Sequence, residues 1–227
     1  MIEIALALSL ALGAGQDART DQPPPDAGAQ AHIAAALTAI KAGDSAGAGS
    51  EIDQVIAYYD TLYAPEKRRI YCGMSSTQTL AYMAMAAKDK VDAVAVSPGW
   101  CEALFIKGYT LVDAGKIDEA RQYYDRVRAL APLHWQYLAE MGFTYRDSDP
   151  AKSLDLYHQA EDLVTLIDKP LQAAALAKVR HGKGYALSEL KRFDEAEAIY
   201  RQCLKADPND TIAQHELDYI AGQRAKN

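Results

Sequence analysis

Cysteine and histidine have the widest chemical range of any residues in this chain, which holds three cysteines and five histidines. A thiolate can attack an electrophile or bind a metal, and an imidazole can move a proton or act as a ligand. The histidines are scattered, and no His-Glu-x-x-His, Gly-x-Ser-x-Gly, P-loop or Cys-x-x-Cys pattern occurs. His158 and Glu161 are three residues apart, a spacing typical of an exposed helix face. We therefore expect no catalytic residue, no metal site and no cofactor.

Two interpretations of Cys72 and Cys101 stay open. In an exported protein they could form a disulfide, closing a loop of about 29 residues and contributing roughly 3–4 kcal/mol of stability. Otherwise they are free thiols, and one of them could be a reactive nucleophile in an enzyme or an enzyme's accessory domain. The sequence places no base beside either of them. Cys203 is predicted to be a small buried hydrophobe.

The composition excludes two broad classes of protein. The chain has 227 residues, of which 49% are hydrophobic and 24% charged, so most of it is not disordered. Its net charge of −7 argues against a nucleic-acid partner, which requires a clustered basic face. Only 14 glycines and 9 prolines occur, and alanine is abundant, which favours helices over sheets.

The N-terminus resembles an export signal. Residues 4–14 form an apolar run that is too short to span a bilayer but suits the hydrophobic part of a signal peptide, although no Lys or Arg precedes it. We assign residues 1–15 to this segment and residues 16–30, which contain three consecutive prolines, to a flexible spacer. The expected location is periplasmic or secreted, with no membrane span after cleavage, or cytoplasmic if the signal does not function.

The rest of the sequence predicts one helix after another. Ser50 and Asp53 resemble a capping box that opens a helix running to about residue 63. Another helix is expected over residues 75–88, and residues 91–96 are expected to form a connector. Alternation with a period of two is nearly absent, so the predicted class is all-α.

Three segments share a spaced pattern. A glycine is followed eleven or twelve residues later by a small residue, and four residues after that by a tyrosine. A proline closes the first and third segments. The positions are Gly108, Ala120 and Tyr124; Gly142, Ser153 and Tyr157; and Gly184, Ala196 and Tyr200.

This helix–turn–helix unit of 34 residues resembles the tetratricopeptide repeat. The resemblance implies an all-α, right-handed superhelical stack over residues 99–222, with units at about 101–134, 135–167 and 177–210 and a C-terminal capping helix. An insertion is expected near residues 164–178. Residues 31–98 would form a degenerate helical region packed on the first unit. The small residues would lie where paired helices cross, and the tyrosines would fill the space between units.

The family is one of protein-interaction scaffolds whose first helices line a concave groove for a peptide or a partner protein. The residue after each signature glycine is aromatic here, so Tyr109, Phe143 and Tyr185 are candidate groove residues. The alternative is that these rings pack within their own hairpins. Further candidates, one turn earlier or nearby, are Phe105, Arg146, Lys178 and His181. Some family members clamp a C-terminal carboxylate with Asn and Lys, and the aromatic residues here depart from that pattern.

Overall fold

The computed structural model describes residues 27–225, in which ten helices pack in chain order. The predicted stack of helical repeats is confirmed. The signal-like segment and most of the predicted spacer lie outside the described residues. The helices are α1 (Ala27–Lys41), α2 (Ser45–Tyr63), α3 (Ser76–Asp89), α4 (Gly99–Asp113), α5 (Ile117–Leu130), α6 (Trp135–Tyr145), α7 (Pro150–Val164), α8 (Lys169–Glu189), α9 (Phe193–Ala206) and α10 (Thr211–Arg224). Two strands, β1 (Arg69–Cys72) and β2 (Ala93–Val96), complete the described part of the chain.

Helical hairpins nest side by side along the chain. The pairs α4–α5, α6–α7 and α8–α9 correspond to the three predicted units, and α10 packs on α9 and α8. Helices α1 and α2 form a further hairpin ahead of them, with α2 packed on α4. The first helices of neighbouring hairpins also touch, as α1 touches α4 and α6 touches α8.

Two boundaries near the N-terminus differ from the predicted ones. Helix α1 begins at Ala27, inside the segment expected to be a flexible spacer up to residue 30. Helix α2 begins at Ser45, so the expected capping box at Ser50 is wrong. Gly43 takes a positive φ of 76° to end α1, and the Asp44 carboxylate then accepts a hydrogen bond from Gly47 N at 2.8 Å. The N-cap residue of α2, Asp44, therefore directly follows the turn residue Gly43.

Residues 91–96 are not a simple connector, because β2 lies within them. Strands β1 and β2 pair in parallel, with Arg69 opposite Ala93 and Cys72 opposite Val96. Helix α3 is the crossover between them, and Ser75, the first residue of the helix predicted over residues 75–88, is its N-cap. Each strand has only four residues, too few to show a clear period of two. Residues 69–96 are therefore a small β–α–β unit and not part of a degenerate repeat.

A disulfide joins this β–α–β unit to the first repeat hairpin. Cys72 at the end of β1 is bonded to Cys101 in α4, with their Cα atoms 6.2 Å apart. Both residues are fully buried. Of the two interpretations open at the level of sequence, the structure shows the disulfide.

The insertion before the third unit lengthens its first helix. Helix α8 has 21 residues, whereas α4 has 15. The apolar side chains of Leu166 and Leu171 are exposed at this junction. None of the helices in residues 27–225 has the length and apolar character to cross a membrane.

Within residues 27–225, the buried apolar side chains form two cores. The larger extends from α1 to the N-terminal half of α8. The smaller holds the C-terminal helices together and contains Leu154, Ala186, Leu187, Ala196, Tyr200, Cys203, Ala213 and Ile220. The last repeat and its capping helix thus share a core separate from the larger one, to which α7 contributes Leu154.

Candidate partner-binding groove

Each signature glycine faces the tyrosine of its own hairpin. A Cβ atom on Gly108 would lie 2.5 Å from the Tyr124 ring, and one on Gly184 would lie 2.5 Å from the Tyr200 ring. These rings therefore fill the crossing within a hairpin, whereas the sequence placed them between units. Tyr157 does both, because a Cβ on Gly182 in the following hairpin would also strike its ring. Ala120 and Ala196 are fully buried.

The residues that follow these glycines are half-buried and lie along one face of the stack. Tyr109 of α4 and Phe143 of α6 line the same cavity, which has a volume of about 580 Å³. The guanidinium of Arg146 lies 4.5 Å from the centre of the Phe143 ring and 5.3 Å from that of Tyr185 in α8. The three predicted aromatic residues and Arg146 therefore form one continuous surface, which we call the aromatic ladder.

The cavity lies between the α4–α5 turn and the C-terminal end of α6. The turn supplies apolar and acidic side chains, and α6 supplies aromatic and polar ones. Its lining residues are Tyr109, Val112, Asp113, Ile117, Asp118, Arg121, Phe143, Thr144, Arg146, Asp147 and Ser148.

Arg121 holds the two walls together. Its guanidinium donates hydrogen bonds to the carbonyl oxygen of Thr144 at 2.5 Å, to Ser148 Oγ at 2.8 Å and to Asp118 Oδ1 at 2.8 Å. It also lies over the Tyr145 ring, 3.9 Å from its centre. Through these contacts Arg121 holds α5 and the C-terminal end of α6 in place on either side of the cavity. Local spacing could not predict this role, because every partner of Arg121 named here except Asp118 lies in the next hairpin.

The mouth of the cavity is mildly acidic. Three aspartates line it, at positions 113, 118 and 147, against two arginines at 121 and 146. Burial, followed by the charges of Asp113 and Glu140, raises the pKa of the Tyr109 hydroxyl. This hydroxyl therefore remains a hydrogen-bond donor at neutral pH.

Three other predicted groove residues are engaged elsewhere. Phe105 is 5% exposed and packs between Tyr124 and Tyr137, so its assignment to the groove is wrong. Tyr137 belongs to the next hairpin. The sequence of α4 alone could not show that Tyr137 covers Phe105. Lys178 forms an ion pair with the buried Glu140. His181 lies 2.6 Å from Asp210, at the start of α10.

The cysteines offer little thiol reactivity in this state. Cys72 and Cys101 are bonded to each other, so neither carries a thiol that could act as a nucleophile. Burial, followed by the charge of Asp210, raises the pKa of the Cys203 thiol to about 11. Cys203 is buried, as the sequence predicts.

Comparison with known proteins supports the repeat assignment. Residues 102–134 and 177–210 each match a model of the tetratricopeptide repeat. These segments are the first and third predicted units. No curated protein matches the sequence.

Solved structures of similar fold cover most of the chain. A Podosopora anserina protein described as a kinesin light chain with nearly identical TPR-like repeats aligns with a TM-score of 0.58 and 16% identity, over 87% of this chain and 88% of that one. MamA from Desulfovibrio magneticus RS-1 aligns with a TM-score of 0.54 and 12% identity, over 88% and 86% of the two chains. At these identities the likeness concerns the fold alone.

Proposed function

We propose that this chain, whose residues 102–134 and 177–210 each match a model of the tetratricopeptide repeat, is a non-catalytic scaffold that binds another protein or a peptide. The binding surface is the aromatic ladder. The observation that carries the proposal is the position of Tyr109, Phe143 and Tyr185 on one half-buried face, with a cavity between the first two.

Aromatic side chains in such a position are suited to binding. A tyrosine or phenylalanine offers a large contact area and loses little conformational entropy when it is covered. Arg146 is already held against Phe143 and Tyr185, so a partner would not have to order it. The Arg121 contacts keep the cavity walls in place in the same way.

The shape and charge of the surface indicate the kind of partner. An apolar side chain of the partner would enter the cavity between Tyr109 and Phe143, while its backbone runs along the ladder towards Tyr185. The three aspartates at the mouth favour a partner segment that is neutral or basic over an acidic one.

A binding experiment with matched variants tests the surface. A displayed peptide library and an envelope extract are each selected on the full chain, and the affinity of the captured segments is measured for the double variant Tyr109→Ala with Phe143→Ala. Loss of about 2 kcal/mol or more of binding free energy is expected, as for aromatic residues at interface centres. Tyr219→Ala is the control, because Tyr219 is an exposed tyrosine on α10 away from the cavity.

Two results would overturn the proposed surface. One is unchanged affinity of the double variant, with its helical circular dichroism spectrum intact. The other is an equal loss in Tyr219→Ala. Photocrosslinking provides a second check. A photoreactive residue at position 143 should crosslink to the partner and one at position 219 should not, and Tyr109 and Tyr185 stay unaltered in both proteins.

We further propose that the protein acts in the bacterial cell envelope, in the periplasm or after secretion. The Cys72–Cys101 disulfide supports this location, because such bonds persist in oxidising compartments. The signal-like pattern of residues 1–15 is the second support. Sequencing the N-terminus of the mature protein from fractionated cells tests it. A chain that retains residue 1 in the cytoplasm would contradict it.

A further inference from the structure

Side chains from three successive helices converge near the C-terminal end of the stack. His181 lies on α8, Cys203 on α9, and Asp210 is the N-cap residue of α10. The imidazole Nε2 of His181 is 2.6 Å from Asp210 Oδ2. One ligand atom from each of the three residues lies within 4.8 Å of the other two.

We propose that His181, Cys203 and Asp210 form a binding site for a zinc-like divalent cation, with water as the fourth ligand. Nitrogen, sulfur and carboxylate oxygen are the donors that zinc takes in proteins. Zinc–ligand distances of about 2.0–2.3 Å place the ligand atoms of a tetrahedral site about 3.3–3.7 Å apart. The His181–Asp210 pair would open by less than about 1 Å and the Cys203 sulfur would approach by about 1 Å to reach that geometry.

The side chains are enclosed, and that of Asp210 is already oriented. Cys203 is 3% exposed, and the Asp210 and His181 side chains are 9% and 20% exposed, so access is from the His181 side. The second carboxylate oxygen of Asp210 accepts a hydrogen bond from Ala213 N at 3.0 Å. A partner of this kind fixes the direction of a metal-binding carboxylate. The carbonyl oxygen of His181 lies 3.4 Å from the Tyr200 hydroxyl.

The charges around the site favour a dication. The carboxylates of Asp210 and Glu161 act on Cys203, and that of Glu216 acts on His181. Two cations, Arg180 and Lys183, lie within 3.2 Å of Glu161 and pair with it. Three carboxylates against two cations leave one negative charge. The Cys203 thiol is neutral without a metal and would release its proton on binding one, which adds a second negative charge. The bound dication would balance these two charges.

The site would tie the last repeat to its cap. Its three residues belong to the helices that surround the smaller core. A cation that binds the folded chain and not the unfolded one stabilises the folded chain. No sequence motif marks this site, because its residues are 22 and 7 positions apart in the chain. Without a metal, the same residues form a hydrogen bond between α8 and α10 beside a buried thiol, and the experiment separates these two cases.

Cobalt provides a direct test on the unaltered full chain. The protein is treated with a chelator, kept free of reductant and titrated with Co²⁺, followed by Zn²⁺. Because Cys72 and Cys101 are bonded to each other, Cys203 is the one cysteine left to give a thiolate-to-cobalt charge-transfer band. The proposal expects this band, saturation at one Co²⁺ per chain, loss of the band on addition of Zn²⁺ and a higher melting temperature with Zn²⁺.

Variants assign the ligands. Cys203→Ser should abolish the band, and His181→Gln and Asp210→Asn should weaken Zn²⁺ binding at least about tenfold. Asparagine keeps the N-cap acceptor, so Asp210→Asn preserves the start of α10. His215→Gln is the control, because the His215 side chain is 82% exposed and lies outside the cluster, and it should leave binding unchanged.

The absence of a thiolate band in the unaltered protein at saturating Co²⁺ would overturn the proposal, whatever the variants do. Equal Zn²⁺ affinity in the unaltered protein and Cys203→Ser would also overturn it. Neither result depends on partner binding, so the outcome is independent of the proposed function.

Discussion

The first and third repeat hairpins are built alike but are secured to their surroundings in different ways. In both, a glycine meets the ring of a tyrosine on the paired helix, at the same 2.5 Å from an added Cβ. The first hairpin is joined to the β–α–β unit by the Cys72–Cys101 bond. The third is joined to α10 through His181 and Asp210. The repeat pattern thus specifies the hairpin, while other residues specify how its neighbours attach.

This difference follows from the position of each hairpin in the stack. A helical repeat buries one side against the preceding repeat and the other against the following one, and the outer faces at either end need a cap. At the N-terminal side, α1, α2 and the β–α–β unit extend the larger core. At the C-terminal side, one helix, α10, closes a small core of its own. The C-terminal end is therefore stabilised by fewer buried apolar side chains.

The largest expected effect comes from the covalent link at the N-terminal side. Replacing Cys72 and Cys101 together by alanine should lower the free energy of unfolding by roughly 3–4 kcal/mol, because the closed loop no longer restricts the unfolded chain. Cys203→Ala, which removes one buried sulfur, should cost about 1 kcal/mol. Urea unfolding of both variants measures the contrast. Equal losses would show that the two ends do not differ in this way.

Alanine at the signature glycines tests whether the two hairpins are equivalent. Gly108→Ala and Gly184→Ala should each destabilise the fold by about 1–3 kcal/mol, because the new methyl group overpacks against a buried ring. Gly222→Ala is the control, since nothing lies within 4 Å of its Cβ position, and the gain in helix propensity should make it neutral or stabilising by up to about 1 kcal/mol. Thermal melts of the three variants make the comparison. If Gly222→Ala were as harmful as the others, ring packing would not be the cause.

One histidine, His134 at the start of α6, makes the stability of the fold depend on pH. His134 stacks on Tyr137, and its Nδ1 has no hydrogen-bond partner among the described residues. Burial lowers the pKa of His134 to about 4. As the pH falls below about 6.5, the unfolded chain takes up a proton at this residue before the folded chain does, so stability is lost from there down to the folded pKa.

We expect His134 to account for roughly 1–2 kcal/mol of lost stability between pH 6.5 and 4.5. His134→Phe keeps a ring on Tyr137 and should remove that part of the pH dependence. Urea unfolding of the variant and the unaltered protein across this interval gives the difference. Parallel stability curves for the two proteins would rule out the expected role.

The smallest expected effect concerns Glu161, which joins α7 to α8 through Lys183 and Arg180. Burial acts to raise the pKa of Glu161, but the hydrogen bonds from Lys183 and Arg180 outweigh it and hold the pKa below its ordinary value. The ion pairs of Glu161 with Lys183 and Arg180 therefore stabilise the fold above pH about 4.3. This contribution is lost as the pH falls through the lowered pKa of Glu161 in the folded chain. Glu161→Gln should cost less than about 1 kcal/mol at pH 7 and nothing in strong acid. A constant difference across this range, measured by urea unfolding, would contradict this.

Local signals predicted the repeats, and long-range contacts account for what was missed. The spacing from Gly108 to Tyr124 was enough to predict a hairpin, and the helix predicted over residues 75–88 differs from α3 by one residue at each end. Phe105 was predicted to line the groove because it lies one helical turn before the candidate groove residue Tyr109. Its burial depends on Tyr137, which is 32 residues away in the sequence. The two four-residue strands were missed because such short segments carry little pattern.

By itself, the sequence determined the helical period, the length of the repeat and the small residues at each crossing, since all of these act between residues on one helix or one hairpin. The tertiary structure decided which faces are covered, which aromatic rings stay accessible, that Cys72 meets Cys101 and that His181, Cys203 and Asp210 converge. The physical reason is that covering a side chain requires atoms from another hairpin. The position of that hairpin follows from the packing of the whole stack and not from any local spacing.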